Sequence, residues 1–266
     1  MSERFTSTLA SIERSYASPN HGERLGNLAW PDTIVLHYTG MKDGPSAVDW
    51  LCNPASQVSS HYVVTEGGAI LQLVPEERRA WHAGRSVWAG VSDLNSASIG
   101  IEIVNGGHDH DLPAFPDRQI EAVIALCRDT AARHAVPPER VLAHSDIAPG
   151  RKRDPGERFP WARLAVAGVG HWPENPSRAE AAAELGPGAV GDAVVELQAA
   201  LAQYGYGVQP TGVYDTQTET VVRAFQLHFR ADQVDGIADG GTRGCLTALL
   251  SALPNASVSL QPARKA

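Results

Sequence analysis

The sequence predicts an α/β fold, a mixed central β-sheet flanked by helices, followed by a small three-helix domain. Three observations carry this expectation. Short apolar, β-branched runs recur between residues 33 and 143, bounded by Gly, Pro or polar residues. Residues 117–134 repeat their apolar positions at helical spacing. Beyond Val190 only helical periodicity and Gly/Asp turns remain. Strands interleaved with helices build a sheet covered on its faces, and short connections between some of the runs imply antiparallel pairing within it.

Residues 1–27 are mostly polar and read as a loosely attached N-terminal arm. Thr33-Ile34-Val35-Leu36 is a buried strand ending at His37. Ala69 to Val74 is a second strand, entered through the Gly67-Gly68 turn. Ser98 to Val104 is a third. Asp117 to His134 is a helix with Ile120, Val123, Ile124, Leu126 and Cys127 on its apolar face. Asp117 is its expected N-cap, and Pro137-Pro138 its stop. Val141-Leu142-Ala143 leads as a short strand into His144. From His171 to Gly188 the chain carries Pro173, Pro176 and Pro187 and reads as a linker.

Three helices follow. The first has Val194, Leu197, Leu201 and Tyr204 on one face. The second runs from Thr218 to Phe229 behind the cap Asp215, with Val221, Val222 and Phe225 inward. The third runs from Thr242 to Leu250. TGVYDTQTETVVRAF and DGIADGGTRGCLTAL repeat one order: turn glycine, apolar residue, cap, threonine, helix. The expected division is an arm at 1–27, a first domain at 28–170, a linker at 171–189, the three-helix domain at 190–252 and a tail at 253–266.

With 266 residues and 43% hydrophobic residues the chain can bury a core without staples. Its formal charge of -8 argues against a nucleic-acid partner. The three cysteines, Cys52, Cys127 and Cys245, form no CxxC pair and are odd in number, so neither a zinc ribbon nor a disulfide framework is indicated. No stretch approaches the about 18 apolar residues that a membrane span needs. Glu3, Arg4, Glu13 and Arg14 leave no room for the apolar core of a secretory signal. The missing signal and the unpaired cysteines favour the cytoplasm, with the periplasm or cell envelope as the alternative.

Polar residues at apolar strand ends mark the candidate chemistry. His37 follows TIVL, His144 follows VLA, and Asp154 lies downstream in RKRDPG. Glu102 interrupts SIGIEIV, and alternation puts it on the face opposite Ile99, Ile101 and Ile103. A catalytic zinc wants three protein ligands and an open position. His37, His144 and Asp154 supply such a set, Glu102 is placed to move protons, and Lys152 to stabilise an oxyanion. Spacing alone leaves ordinary surface histidines and an exposed sheet face as open alternatives.

The segments IVLHYTG, SSHYVV, QLVPEERRAWHAG, SIGIEI and AHSDIAPGRKRDPGERFPW occur in this order. Together they resemble the N-acetylmuramoyl-L-alanine amidases of peptidoglycan-recognition-protein fold, in their AmiD-like branch, over residues 28–165. The resemblance implies one Zn²⁺ per chain on His37, His144 and Asp154, with Glu102 and Lys152 as the catalytic pair. It implies neither a ligand role for His61 or His82, which stand in the SSHY and WHAG motifs, nor one for the His108-Asp109-His110 run, which reads as a solvated turn. Trp81 is left between a sugar platform and a core residue, Asn105 is a candidate substrate contact, and Arg151 and Arg153 are candidates for attracting an acidic stem peptide. GDAVVELQAAL, TGVYDTQTETVVRAFQ and VDGIADGGT resemble the three-helix peptidoglycan-binding domain fused to many wall hydrolases.

The implied reaction is hydrolysis of the amide between the lactyl group of (anhydro-)N-acetylmuramic acid and L-alanine, in peptidoglycan recycling. The implied partner is a muropeptide or peptidoglycan. The alternatives are a non-catalytic recognition protein and an amidase that lyses intact wall. Oligomeric state is left open.

Overall fold

In the computed structural model, residues 7, 9, 11–26, 30–174 and 184–254 are described. The start of the arm, the expected domain start at residue 28, the middle of the linker at 175–183 and the tail from 255 lie outside them.

Eight strands and eight α-helices are defined among the described residues. The strands are β1 (Ile12–Glu13), β2 (His21–Glu23), β3 (Thr33–Tyr38), β4 (Tyr62–Val64), β5 (Ile70–Gln72), β6 (Arg78–Ala80), β7 (Ser98–Ile103) and β8 (Val141–Ala143). The helices are α1 (Gly44–Cys52), α2 (Leu94–Ala97), α3 (Asp117–His134), α4 (His144–Ile147), α5 (Trp161–Val166), α6 (Asp192–Tyr204), α7 (Thr216–Phe229) and α8 (Gly240–Ala252). Six strands form one sheet in the order β1-β5-β4-β7-β3-β8, and β2 pairs with β6. Within the sheet β4 and β5 are antiparallel and the other pairs parallel, so the sheet is mixed as expected.

The two faces separate by residue parity, as side chains alternate along a strand. Ile34, Leu36, Ile99, Ile101 and Ile103 pack against Ile120, Val123, Leu126 and Cys127 of α3. Val35 and Leu142 face the other way, into a core that continues through Trp88 and Ile147 to Val194, Leu201, Phe225 and Leu246 of the last three helices. Val48 and Leu51 of α1 cover Val63, Leu71 and Val104. The face carrying His37 is thus the one covered by α1 and the C-terminal unit.

Three expectations need correction. The described part of the arm is not loosely attached. Ile12 pairs with Ile70 in the sheet, and Ser18, Asn20 and Arg24 are buried. The Arg24 guanidinium donates to the carbonyls of Glu76, Ser96 and Ser98. Polarity suggested solvent, but here it satisfies buried backbone oxygens, which cannot be left unpaired. Asp117 is not a cap. Pro116 holds that position and Asp117 is the first residue of α3, where its charge still suits the helix dipole. The helix also stops before the prolines, at Ala135 with φ 54°, whose N–H returns to the Ala131 carbonyl. The three C-terminal helices form as expected, and Asp215 accepts from the Thr218 N–H at 2.9 Å.

Candidate metal centre and catalytic cleft

Sheet register assembles the site. β3, β7 and β8 are parallel neighbours, with His37 opposite Glu102 and Leu36 opposite Ala143. The next residue after Ala143 is His144, which opens α4. His37, Glu102 and His144 therefore come level across three adjacent strands, at their carboxyl ends. Neighbouring strands lie about 4.8 Å apart, close enough for such side chains to meet. Asp154 arrives on the following loop, pinned where the Ser145 N–H donates to the Asp154 carbonyl at 3.0 Å.

His37 Nδ1 lies 2.8 Å from His144 Nδ1 and 3.2 Å from Asp154 Oδ2, and His144 Nδ1 lies 2.9 Å from the same oxygen. The three side chains are buried, and one ligand atom from each falls within 4.8 Å of the others. Burial, reinforced by His144, lowers the His37 pKa to about 4, against the pull of Asp154. Burial would raise Asp154, but His144 and His37 outweigh it and hold the carboxyl well below its usual range. Two imidazole nitrogens and one ionised carboxylate oxygen gathered at one point are a donor set that a divalent metal takes, so the residues fit one.

The outward nitrogens of both imidazoles are anchored, which fixes which nitrogen faces the centre. His144 Nε2–H donates to the Ala83 carbonyl at 3.1 Å, and the Arg151 guanidinium donates to the same oxygen at 2.7 Å. His37 Nε2–H donates to His82 Nδ1 at 3.0 Å, His82 Nε2–H donates to Ser98 Oγ at 3.2 Å, and Ser98 donates to the Leu94 carbonyl. Every donor in this chain has one acceptor. Asn95 Oδ1 takes the His82 and Ala83 N–H groups at 2.9 and 2.8 Å, locking the loop that carries both anchors.

Glu102 Oε2 is buried without a hydrogen-bond partner. Burial, then the nearby Asp154, push its pKa well above the ordinary carboxylate value, against the pull of Lys152. A carboxyl whose pKa is raised in this way is suited to take up a proton and pass it on. Lys152 lines the same cleft, of about 400 Å³, together with Tyr38, Trp50, Val58 and Trp81.

The structure brings His37, His144, Asp154, Glu102 and Lys152 together as the sequence reading grouped them. His61 stays outside. Its Nδ1 accepts the Gly100 N–H at 2.9 Å and its Nε2–H faces the Arg78 carbonyl at 3.1 Å, so no lone pair is left for a metal. Asn105 is spent on structure, donating to the Pro113 carbonyl and accepting from the Gly107 N–H. Arg151 staples the Ala83 and Arg85 carbonyls, whereas Arg153 is exposed, its ion pair with Asp109 stretched to 3.5 Å. His108 bonds Tyr38 and Glu157. Sequence reasoning missed Trp50, 48% exposed at the cleft, because α1 around it is short and opens on Gly44-Pro45.

A buried two-histidine, one-aspartate cluster that could hold a metal ion, beside a buried glutamate carboxyl at the carboxyl edge of a mixed α/β sheet, is the arrangement of a hydrolytic site. Residues 27–157 match the N-acetylmuramoyl-L-alanine amidase family, and residues 190–246 match a peptidoglycan binding domain family. N-acetylmuramoyl-L-alanine amidase AmiD of Escherichia coli is 40% identical over 241 residues, covering 85% of this chain and 86% of that protein. The structure of that amidase with anhydro-N-acetylmuramic acid-L-Ala-D-gamma-Glu-L-Lys superposes with a TM-score of 0.73 over 86% of this chain and 92% of the other. AMPDH3 from Pseudomonas aeruginosa, solved with anhydromuramic pentapeptide, is 35% identical with a TM-score of 0.74 over 90% of this chain and 97% of that one. The chain belongs to the N-acetylmuramoyl-L-alanine amidase family and is an amidase with a C-terminal unit of the peptidoglycan-binding kind.

Proposed function

We infer that this amidase hydrolyses the bond between the lactyl group of anhydro-N-acetylmuramic acid and L-alanine, in peptidoglycan recycling, with zinc as its metal. The observation that carries the reaction is Glu102 Oε2, buried, unpartnered and in register with His37. Support for the substrate comes from the two relatives solved with anhydromuramyl peptides.

His37 Nδ1, His144 Nδ1 and Asp154 Oδ2 are the atoms that would hold zinc, which when bound acidifies water and polarises a carbonyl. Glu102 takes the proton from the attacking water. It then delivers that proton to the alanine nitrogen as the amide opens, so one carboxyl serves first as base and then as acid. The Lys152 ammonium stabilises the negative charge that develops on the lactyl oxygen. Trp50, Trp81 and Val58 give the cleft apolar walls that turn water away from the reacting groups.

One observation favours a second reading, action on intact wall: the match of residues 190–246 to a peptidoglycan binding domain. The non-catalytic alternative leaves the complete set of ligands, acid/base and cation unexplained. The test is product release from anhydro-muropeptide, ordinary muropeptide and sacculi. Glu102→Ala is expected to lower turnover by about 10²–10⁴-fold with zinc content unchanged. A chelator is expected to abolish turnover and added zinc to restore it. Turnover by Glu102→Ala near that of the parent would overturn the mechanism. We also propose work in the cytoplasm, supported by three unpaired cysteines, two of them buried. Activity recovered only from the envelope fraction would refute that.

A further inference from the structure

A second cavity, of about 500 Å³, lies beside the catalytic cleft. Lys152 and Arg153 line both, so the two spaces adjoin at the catalytic lysine. One wall of this groove is the loop that carries Lys152, Arg153 and Glu157, with His108 behind it. The other wall belongs to the C-terminal unit. Thr220, Arg223, Ala224 and Leu227 stand at i, i+3, i+4 and i+7 on α7, one face of the helix, with Ala231 and Val234 just beyond it. The opposite face of α7 is committed to the core through Val221, Val222 and Phe225. The walls close on each other where Gly150 meets Thr220. A β-carbon on Gly150 would stand 3.1 Å from the threonine methyl.

The lining has a definite chemistry. Its charged groups are Lys152, Arg153 and Arg223, the last paired with Glu219 on its own helix at 3.0 Å, against one lining carboxylate, Glu157, which is paired with His108 at 2.9 Å. Lys152 makes no side-chain hydrogen bond or ion pair among the described residues, and the Arg153 guanidinium is 59% exposed. Between the cations runs an apolar strip, Leu227, Ala231 and Val234, floored by the buried Ala224. Cations spaced by apolar surface suit an extended peptide that alternates carboxylates with apolar side chains.

We propose that this interdomain groove binds the distal part of the stem peptide, from its third residue onward. The C-terminal unit would then be a wall of the substrate site and a determinant of stem length. The proposal rests on the amidase reading above. In this proposal the scissile bond lies at the metal centre and the stem runs from it past Lys152, which lines both spaces. An extended chain advances ~3.5 Å per residue, so a pentapeptide stem is long enough to leave the cleft and enter the adjoining groove, whereas a dipeptide stem stays within the cleft.

The test uses the full zinc-loaded chain and two anhydromuramyl substrates, one with a dipeptide and one with a pentapeptide stem. The parent is expected to show a KM about tenfold lower for the pentapeptide, the discrimination a few pocket contacts supply. Two variants lie outside the catalytic machinery. Ala231→Trp fills the groove, and Thr220→Glu, on the exposed side of α7, sets a negative charge in it without touching the core. Each is expected to raise the pentapeptide KM toward the dipeptide value while leaving kcat/KM for the dipeptide unchanged. Equal effects on both substrates, no effect of Thr220→Glu on either, or a parent blind to stem length would overturn the proposal. A parent that cleaves neither substrate would instead count against the amidase reading.

Discussion

Gly100 sits where no side chain fits. A β-carbon there would stand 2.4 Å from Cγ of His82, whose ring lies flat across this point of β7. The glycine therefore lets a buried imidazole approach the sheet, accept the hydrogen bond from His37 Nε2–H and pass orientation on to Ser98. Gly100→Ala should push His82 aside and free the His37 ring to turn. Metal affinity is then expected to fall about 10–100-fold, the usual effect of losing a partner behind a ligand. Competition with a chelating dye would measure it, and an unchanged affinity would show that His82 does not position His37. At this scale the sequence was uneven. His37, His144 and Glu102 were legible because each breaks an apolar run at a strand position where polarity needs a reason. His82 was visible only as a motif residue. Its partners His37 and Ser98 lie far from it in sequence, and nothing in local periodicity brings a loop imidazole onto a strand glycine.

Elements are joined by a second buried network on the far side of the sheet. Glu76, fully buried in the turn between β5 and β6, accepts from the Tyr62 hydroxyl of β4 at 2.6 Å, from Arg133 at 2.8 Å and from His134 Nε2 at 2.6 Å, both on α3. Burial by itself would raise its pKa, but bonds from Arg133, His134 and Tyr62 win, and the value falls from 4.5 to about 2. A carboxylate held lower in the folded than in the unfolded chain favours folding above pH 4.5, and that contribution disappears as pH falls through about 2. Glu76→Gln is accordingly expected to cost about 3 kcal/mol near pH 6, with the gap between parent and variant shrinking through the window from 4.5 to 2. Denaturant midpoints measured across that range would read it, and a gap independent of pH would refute the ionic role. The Glu76 carbonyl also receives Arg24 from the arm, at 3.0 and 2.8 Å. The arm looked detached in the sequence because a two-residue strand and one buried arginine leave no periodic trace. Their partners lie some way along the chain, at Ile70, Glu76 and Ser96. The C-terminal repeat was legible for the opposite reason. Its signal is local, and the structure explains it. Gln198 bonds Gly212, Val213 and Thr218, and Gln226 bonds Gly236, Ile237 and Thr242 in the same pattern, so one hydrogen-bond set is built twice.

At the scale of the whole molecule, the linker does not separate two independent bodies. Asp146, two residues past His144 and fully buried, accepts from Tyr206 Oη at 2.6 Å and pairs with His228 Nδ1 at 2.7 Å, both in the C-terminal unit, while taking the Ala143 N–H at 2.8 Å. The His228 ring stacks on Trp161 at 3.7 Å between centroids, and Trp88 meets Tyr206 edge to face at 4.9 Å. Gly205, at φ 139°, passes so close to Trp88 that a β-carbon would stand 2.5 Å from its indole. Apolar side chains from both units share one continuous core. Such an interface lacks the wet, polar character that lets tethered domains move independently. Heating should therefore give a single transition, with the calorimetric enthalpy equal to the van't Hoff enthalpy and with near-ultraviolet dichroism and intrinsic fluorescence moving together. Tyr206→Phe leaves the buried Asp146 Oδ1 without its donor and is expected to lower stability by about 1–3 kcal/mol. Because Asp146 braces α4, which begins at His144, the same variant should also weaken metal binding, although Tyr206 belongs to the other unit. Two resolved transitions in the parent, or a Tyr206→Phe effect confined to melting of the last three helices with metal affinity intact, would show that the C-terminal unit is an appendage and not part of the scaffold that holds His144 in place.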